Sequence, residues 1–551
     1  MIKLYRPILV FLPVILFACY IFKHAVNVPY MDDMELIDSV NILKNDLSRF
    51  FSVLVRQQND HRSAFPRIGI FLTYLVKGTL DFKMTIMFGY LYLMLLGYTF
   101  YLIFRTSGNG FLSFLPVTLL LFSPMVYQVH MWSLTALQHT PSIAFSLLCL
   151  YFLREEKRKV WYYSILFAVM ASLTNLDGIS IIPVAIVWLM TQKRWKHAAF
   201  FLVFGVAYLI IYFADFKFTS DSKLIFNAET LVSMAKGFVV GTGSIGKVIS
   251  DTRAVPISLL IGSVILAVFV TLKLFPNIAA RSDRFETGNL LALDFTDICF
   301  LRLLASMAFI AIGRQASGAE SMVAIRYQIY SVSMLILFYL FVIKYLKNRD
   351  LRIFKALFLF VSFLLNVYSY AKYESAVSSF EHGLKADSYN YPRHRVFLHQ
   401  YLNMTDADPE FYVNYTFPVY FYKSIIESWK RKPVGEPANA TISIQRFSAG
   451  ELSTNPVFPV QIIGIENKDK DLAKEDVYLG LTSSTDPQDF YLVALHSNRA
   501  IFSNMFSKGS DRVNYYCEIP EKLRHGTYLA RFCWLADGKP MSRGISKPLI
   551  F

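Results

Sequence analysis

Charged side chains are scarce in this chain. Asp, Glu, Lys and Arg make up 17% of its 551 residues, well below the roughly 25% of soluble domains, which excludes an ordinary soluble protein over most of the length. Cysteine is scarce too, with five residues. Cys19, Cys149 and Cys299 fall in apolar runs, where a thiol is a small packing group, and this leaves Cys517 and Cys533 as the candidate disulfide in an oxidising compartment. No metal-ligand spacing of His, Cys and acidic residues supports a divalent metal, which stays an open alternative, and no cofactor is expected. The opening "MIKLYRPILVFLPVILFACYIF" has a basic start and an apolar core, but no small-x-small cleavage site follows, and it reads as an uncleaved span. The glycine-rich "GFVVGTGSIG" lacks the Gly-Lys-Ser/Thr ending of a phosphate-cradling loop. It reads as a lid or linker, with Lys247 a minor candidate for phosphate.

What is abundant is apolar: 54% hydrophobic and 16% aromatic residues. Runs long enough to cross a bilayer, about 17 to 25 residues, recur from residue 8 to 370 and then stop. Spans are expected near 8–22, 84–104, 111–127, 138–153, 161–174, 178–191, 198–213, 256–274, 297–312, 327–343 and 354–370. The net charge of +15 sorts into alternate loops: Lys3 and Arg6, "REEKRK" at 154–159, "TQKRWKH" at 191–197, Arg281 with Arg284, and "KYLKNRDLRIFK" at 344–355. By the positive-inside rule these face the cytoplasm, as does the N-terminus, and the tail lies outside. Such sorting argues for the bilayer as a partner and against nucleic acid. The fold class is thus an α-helical polytopic membrane protein of about eleven spans.

The first outer loop, 23–83, is long and patterned. Ile37, Val40, Leu43, Leu47, Phe50, Phe51 and Leu54 recur at three and four, as on one face of a helix lying along the membrane surface. The polar knot "RQQNDHR" follows, then Pro66 at a helix start and a segment, 67–76, too short to span and read as re-entrant or interfacial. Residues 371–440 read as a helical connector outside the membrane. From 441 to 551, short alternating runs separated by turn residues read as a β-sandwich. The sequons at Asn403, Asn414 and Asn439 are short enough to arise by chance.

Chemistry is concentrated in "VPYMDDMELID", 28–38. Glu35 and Asp38 suit a helix's first turn and Asp33 its N-cap, but capping accounts for one or two of these acids only. Sugar transfer from a lipid-phosphate donor needs a carboxylate to deprotonate the acceptor and cations to stabilise the departing phosphate, a task for which the arginine fork is suited. Asp32 or Asp33 supplies the first; Arg62, Arg314 or Arg326 the second. Gln58, His130, Gln138, His139 and Asp177, the last in the turn "TNLDG", are further polar candidates with ordinary loop or turn roles as their alternative.

An acidic pair just past the first span, an amphipathic helix in a long first outer loop, about eleven spans and an outer C-terminal domain resemble the GT-C superfamily of membrane glycosyltransferases. The resemblance covers residues 1–370. It implies a polyprenyl-phosphate-linked sugar as donor, inversion at the anomeric carbon, and a first-loop aspartate as base, falling on Asp32 or Asp33, with Asp32 favoured as base and Asp33 as cap. His61 and Arg62 in "QNDHR", and Gly313-Arg314 and Arg326-Tyr327, look like substrate and lipid-phosphate contacts. The layout is similar to that of bacterial inner-membrane enzymes that modify O-antigen or another surface glycan, so the acceptor implied is a glycan or lipid-linked oligosaccharide. No Trp-Trp-Asp run of the oligosaccharyltransferases is present. Three other readings stand beside this one: a glycan polymerase or ligase, a lipid flippase or transporter, and a noncatalytic glycan-binding scaffold. A transporter predicts charges within the spans, and the spans read as nearly free of charge.

Overall fold

Backbone groups in hydrocarbon have no water to bond, so apolar stretches of spanning length must close their hydrogen bonds internally, as helices. The computed structural model describes residues 5–154, 160–217, 227–274, 293–346, 350–400, 415–431, 437–438, 440–447, 460–467, 476–497, 513–520, 523, 526–546 and 548–551. Residues 155–159, Arg281, Arg284 and the sequon asparagines Asn403, Asn414 and Asn439 lie outside this set. The chain divides into two units: Met1–Lys23, Ser39–Val76 and Met84–Tyr370, and His24–Asp38, Lys77–Lys83 and Ala371–Phe551.

The first unit is helical. Among the described residues eight helices are long and apolar enough to cross a membrane: Tyr5–His24, Phe82–Arg105, Ser133–Arg154, Trp195–Phe213, Ala254–Leu274, Phe295–Gly313, Ile325–Tyr345 and Arg352–His394. A ninth forms if Phe111–Leu121 and Pro124–His130, bent by 41°, count as one span; the bend falls at Pro124, which has no N–H to continue the first helix. Ile8, Phe11, Ile15 and Leu16 on the first helix, and Val203, Val206, Ile210 and Ile211 on the fourth, are all exposed. Faces so apolar fit lipid rather than water, and the architecture is that of a membrane-embedded protein.

Two expected spans are shorter than a bilayer requires. Tyr162–Ser172 has 11 residues. It is followed by a 3-10 turn, Leu176–Ser180, and then by the 11-residue α-helix Ile181–Thr191. Eleven residues rise about 17 Å, against a hydrocarbon core of about 30 Å. The surface helix also departs from its pattern. It runs Asp33–Asn45 and stops because Asp46 turns its carboxylate onto the Ser48 N–H, capping a 3-10 turn at Leu47–Arg49. Ile37, Val40 and Leu43 are buried as expected, whereas Leu47 and Phe51 are 62% and 78% exposed. The segment after Pro66 is a 14-residue helix, Ala64–Lys77.

The glycine-rich stretch serves close packing between Ala228–Thr242 and Ala254–Leu274. A methyl group on Gly262 would lie 2.0 Å from the Val239 carbonyl oxygen, and one on Gly243 would lie 2.1 Å from that of Ser258. Small residues let two backbones approach within a membrane, so these glycines are accounted for without a phosphate loop. Lys247 sits beside them on the short helix Gly246–Ile249.

In the second unit, the strands are β1 Ala440–Phe447, β2 Val460–Asn467, β3 Tyr478–Ser483, β4 Phe490–Ala494, β5 His496–Ser497, β6 Val513–Pro520, β7 Thr527–Ala536, β8 Lys539–Gly544 and β9 Leu549–Ile550. They form two antiparallel sheets, β1-β2-β6-β5 and β4-β3-β7-β8, with β9 on β7. Asp537 and Gly538, both at positive φ, make the two-residue turn that a hairpin's twist favours. Ile463, Ile465 and Cys517 from one sheet pack with Leu479, Leu481, Tyr491, Val493 and Phe532 from the other, which is the core of a sandwich.

Strand parity separates the two cysteines. Along β7, Tyr528, Ala530, Phe532 and Trp534 face the inter-sheet core that holds Cys517. Cys533, one residue out of step, faces Phe421, Trp429 and Tyr478 on the opposite side of its sheet. Successive side chains on a strand point to opposite faces, so the expected disulfide does not form and both thiols are free. Burial pushes the Cys533 thiol up to about 12.

Candidate functional site

The break between the two short helices of the first unit builds a polar centre. Asn175 is extended, with φ −151° and ψ 148°, and the chain then folds back so tightly that a methyl group on Gly178 would lie 2.1 Å from the Ala171 carbonyl oxygen. Only glycine fits there. The turn drives Asp177 inward, 4% exposed. One carboxylate oxygen accepts from Ser142 Oγ at 3.0 Å and Tyr330 OH at 3.2 Å; the other accepts from Ser306 Oγ at 2.6 Å and lies 3.5 Å from Arg302 Nη2.

Arg302, fully buried, gives Nη2 to Ser146 Oγ at 2.9 Å and to the Asp177 carbonyl at 3.2 Å, and Nη1 to Ser306. Ser142 and Ser146 are four apart on one helix, as are Arg302 and Ser306 on another. That spacing puts each pair on a single face. A carboxylate receiving three hydroxyl donors and a guanidinium has its acceptor sites committed. Asp177 therefore ties three helices to its own turn.

Further polar groups run outward from Asp177. Asn175 Nδ2 reaches Tyr330 OH at 3.1 Å and His139 Nδ1 at 3.3 Å. The His139 ring stands edge-on to Tyr330 and Tyr327, with centroids 5.7 and 6.0 Å away. Tyr327 in turn carries both late arginines. Its hydroxyl accepts from Arg314 Nε at 2.9 Å, and the Arg314 and Arg326 guanidinium carbons lie 5.9 and 5.3 Å from its ring centroid. Arg314 is exposed and Arg326 half-buried. Among the described residues neither forms an ion pair with a carboxylate, and Arg326 Nε is buried without a hydrogen-bond partner.

His61 closes the group from the first-loop side. Gln58 and His61 exchange backbone hydrogen bonds of 2.8 and 2.9 Å across a tight turn with Asn59 at φ 47°. This aims the ring so that Nδ1 accepts the Leu176 N–H at 3.2 Å. Burial, helped by the nearby Arg314 charge and opposed by Asp60 and Asp177, lowers its pKa from 6.5 to about 4. His61 is thus neutral at pH 7, with its proton on Nε2.

Other candidates have different partners. Arg62 gives Nε to the Tyr212 carbonyl at 2.8 Å and Nη1 to that of Val55 at 2.5 Å, and lies over the Tyr212 ring at 5.5 Å. It ties the loop to a helix and has little left for phosphate. Gln138 Nε2 reaches Ser63 Oγ at 3.5 Å. His130 stands edge-on to Phe17 at 6.2 Å, and neither ring nitrogen has a hydrogen-bond partner among the described residues. His61, His139, Asp177, Arg314, Arg326 and Tyr327 are thus gathered in one place, together with Arg302, Asn175, Tyr330 and three serines that the sequence reading missed. Arg302 in "FLRLLASMAF" was the available signal, because a charge inside an apolar run is a site by default.

Asp32 and Asp33 belong to the second unit. Tail residues hold their loop: Gln400 Oε1 accepts the Met31 N–H at 3.0 Å, Gln400 Nε2 donates to the Pro29 carbonyl at 3.0 Å, and Tyr415 OH donates to that of Asn27 at 2.5 Å. Met31 takes a positive φ of 44°, and the helix starts immediately after. Asp33, 1% exposed, accepts the Tyr30 N–H at 3.0 Å. That bond closes the turn leading into the helix, and because the helix begins at Asp33 itself, Asp33 is its first residue rather than its N-cap. Asp32 is exposed. Among the described residues no three His, Cys, Asp or Glu side chains gather as metal ligands. No protein-family model, curated protein or solved structure matches this chain.

Proposed function

We propose that this protein is a membrane glycosyltransferase of the GT-C kind, moving a sugar from a polyprenyl-phosphate donor to a surface-glycan or lipid-linked acceptor. The observation that carries the reading is the pair Arg314 and Arg326 gathered on Tyr327 with no carboxylate partner among the described residues. Two guanidinium groups held by a ring form a site for phosphate oxygens, and their charge meets the charge that develops as the glycosyl-phosphate bond breaks. The new bond joins the acceptor oxygen to the anomeric carbon from the opposite side, and the acceptor's proton passes to a carboxylate. Asp32 suits that role better than Asp33, whose carboxylate is buried and serves the helix start. His61, neutral at pH 7, and His139 are hydrogen-bonding groups for sugar hydroxyls. The topology adopted is a cytoplasmic N-terminus and an outer C-terminal domain, in a bacterial inner membrane.

The test is mass spectrometry of surface glycan and lipid-linked intermediates from cells carrying the wild-type chain, Asp32→Asn, Asp33→Asn, or Arg314→Gln with Arg326→Gln, at matched membrane levels. A single hexose missing from an otherwise complete glycan is expected for Asp32→Asn and for the double arginine variant. Full modification in both aspartate variants overturns the mechanism, and truncated glycan points instead to a polymerase. A transporter is the second reading, favoured by the buried pairs Asp177–Arg302 and Lys273–Asp297, since charges inside spans mark transport paths as well. It predicts that unmodified donor accumulates on one leaflet.

A further inference from the structure

The outer face of the β4-β3-β7-β8 sheet in the second unit carries a cleft of about 190 Å³. At roughly 30 Å³ for each water of the liquid, that is room for about six waters. It is smaller than the 300 Å³ or more of sites for drug-sized ligands, and of a size for one sugar ring rather than a lipid chain. Tyr420, Phe421 and Leu535 give it apolar walls, and His382, Lys385 and Asp476 give it a polar rim.

Tyr478 lies between the two and is 5% exposed. Its ring is fixed edge-on to Phe421 at 5.2 Å and packs against Trp429 at 6.2 Å. Yet its hydroxyl, in the cleft lining, has no hydrogen-bond partner among the described residues. A hydroxyl open to the cleft without a protein partner is a donor from which a ligand oxygen can accept.

The rim has both kinds of polar group and no net charge of one sign. His382 Nε2 lies 3.0 Å from Asp476 Oδ2, and Lys385 pairs with Glu381 one turn before it on the same helix. A lysine ammonium has three protons, so donor capacity remains on Lys385 after its pairing, and the Asp476 carboxylate brings an acceptor type to the same rim. An apolar wall with donors and acceptors along one edge matches a pyranose, which has a C–H face and a ring of hydroxyls. An anion would need an excess of cations, and an acyl chain would leave the rim unsatisfied.

We propose that this cleft is a carbohydrate site taking one neutral hexopyranose unit. Naming that unit as part of the acceptor glycan rests on the glycosyltransferase reading; the binding itself does not. The experiment is saturation-transfer NMR on the full chain in detergent micelles, titrated with methyl glucoside, methyl galactoside and methyl mannoside, with sorbitol and methyl glucuronide as comparisons. At least one neutral hexoside is expected to saturate in the millimolar range and sorbitol is not. Tyr478→Phe, which keeps the ring and removes the donor, should weaken binding about five-fold, the loss of one ordinary hydrogen bond, and Lys385→Gln should weaken it independently. Saturation by no hexoside, equal binding by Tyr478→Phe, or preference for sorbitol or glucuronide overturns the assignment. Asp32→Asn should bind as the wild type does: binding retained with transfer absent from the wild-type chain sinks only the enzymatic reading, and transfer retained without binding sinks only this one.

Discussion

Removing Arg302 tests whether the polar centre is held by a buried ion pair. In Arg302→Met the Asp177 carboxylate keeps Ser142, Ser306 and Tyr330 as donors but loses its only compensating charge among the described residues, 3.5 Å away. Breaking one side of a buried pair typically costs 3 to 5 kcal/mol, because the surviving charge is stranded. Arg302 Nε has no partner among the described residues, so the wild-type guanidinium is itself incompletely satisfied, which favours the lower half of that range. The double variant with Asp177→Asn removes the stranded charge and leaves an amide that can still meet the three hydroxyls. It should recover all but about 1 to 2 kcal/mol, the worth of one or two altered hydrogen bonds. Unfolding free energies in mixed micelles, arranged as a double-mutant cycle, give the coupling. A single variant within about 1 kcal/mol of wild type, or a double variant no more stable than the single, would refute the reasoning.

Three further outcomes follow from particular residues. His61 is depressed from 6.5 to about 4 in the folded chain, so the unfolded chain binds the extra proton first; its contribution is complete above pH 6.5 and is lost as pH falls toward 4. His61→Gln should flatten that part of a stability-pH curve, and an unchanged slope would count against a ring held neutral in the folded chain. Gly262→Ala places a methyl 2.0 Å from the Val239 carbonyl oxygen, forcing two helices apart, so it should cost several kcal/mol, of the order of severe overpacking, seen as a lower midpoint in a thermal melt; a wild-type melt would mean the helices do not meet there. All five cysteines are free, so alkylation of the denatured, unreduced protein should label five sites by intact mass, and a count of three would restore the disulfide.

Membrane class and the β-rich tail were legible because both are written in periodicity. Spanning helices need only length and apolarity, and a sandwich needs only alternation with turns. The surface helix was legible as far as Asn45 and then failed, since a single local bond from Asp46 to Ser48 outweighed the apolar pattern that ran on to Leu54. For the polar centre, His61, His139, Asp177, Arg314, Arg326 and Tyr327 could be singled out by residue type near span ends. Ser142, Ser146 and Ser306 could not, because a serine in a span reads as a small packing residue until its partner is known. Arg302 was overlooked for the opposite reason, as one charge among a dozen apolar neighbours. The cysteine pair failed on parity: one strand position decides which face a side chain takes, and neither spacing nor composition records it.

Tyr327 bears on how the protein could be altered. A carboxylate at that place would hold Arg314 and Arg326 at least as firmly, but it would cancel their field. An aromatic ring holds a cation through its quadrupole and leaves the formal charge outstanding. The two replacements therefore separate geometry from potential: Tyr327→Phe loosens Arg314 alone and keeps the local potential positive, whereas Tyr327→Glu keeps both arginines in place and turns an anion receptor into a closed salt cluster.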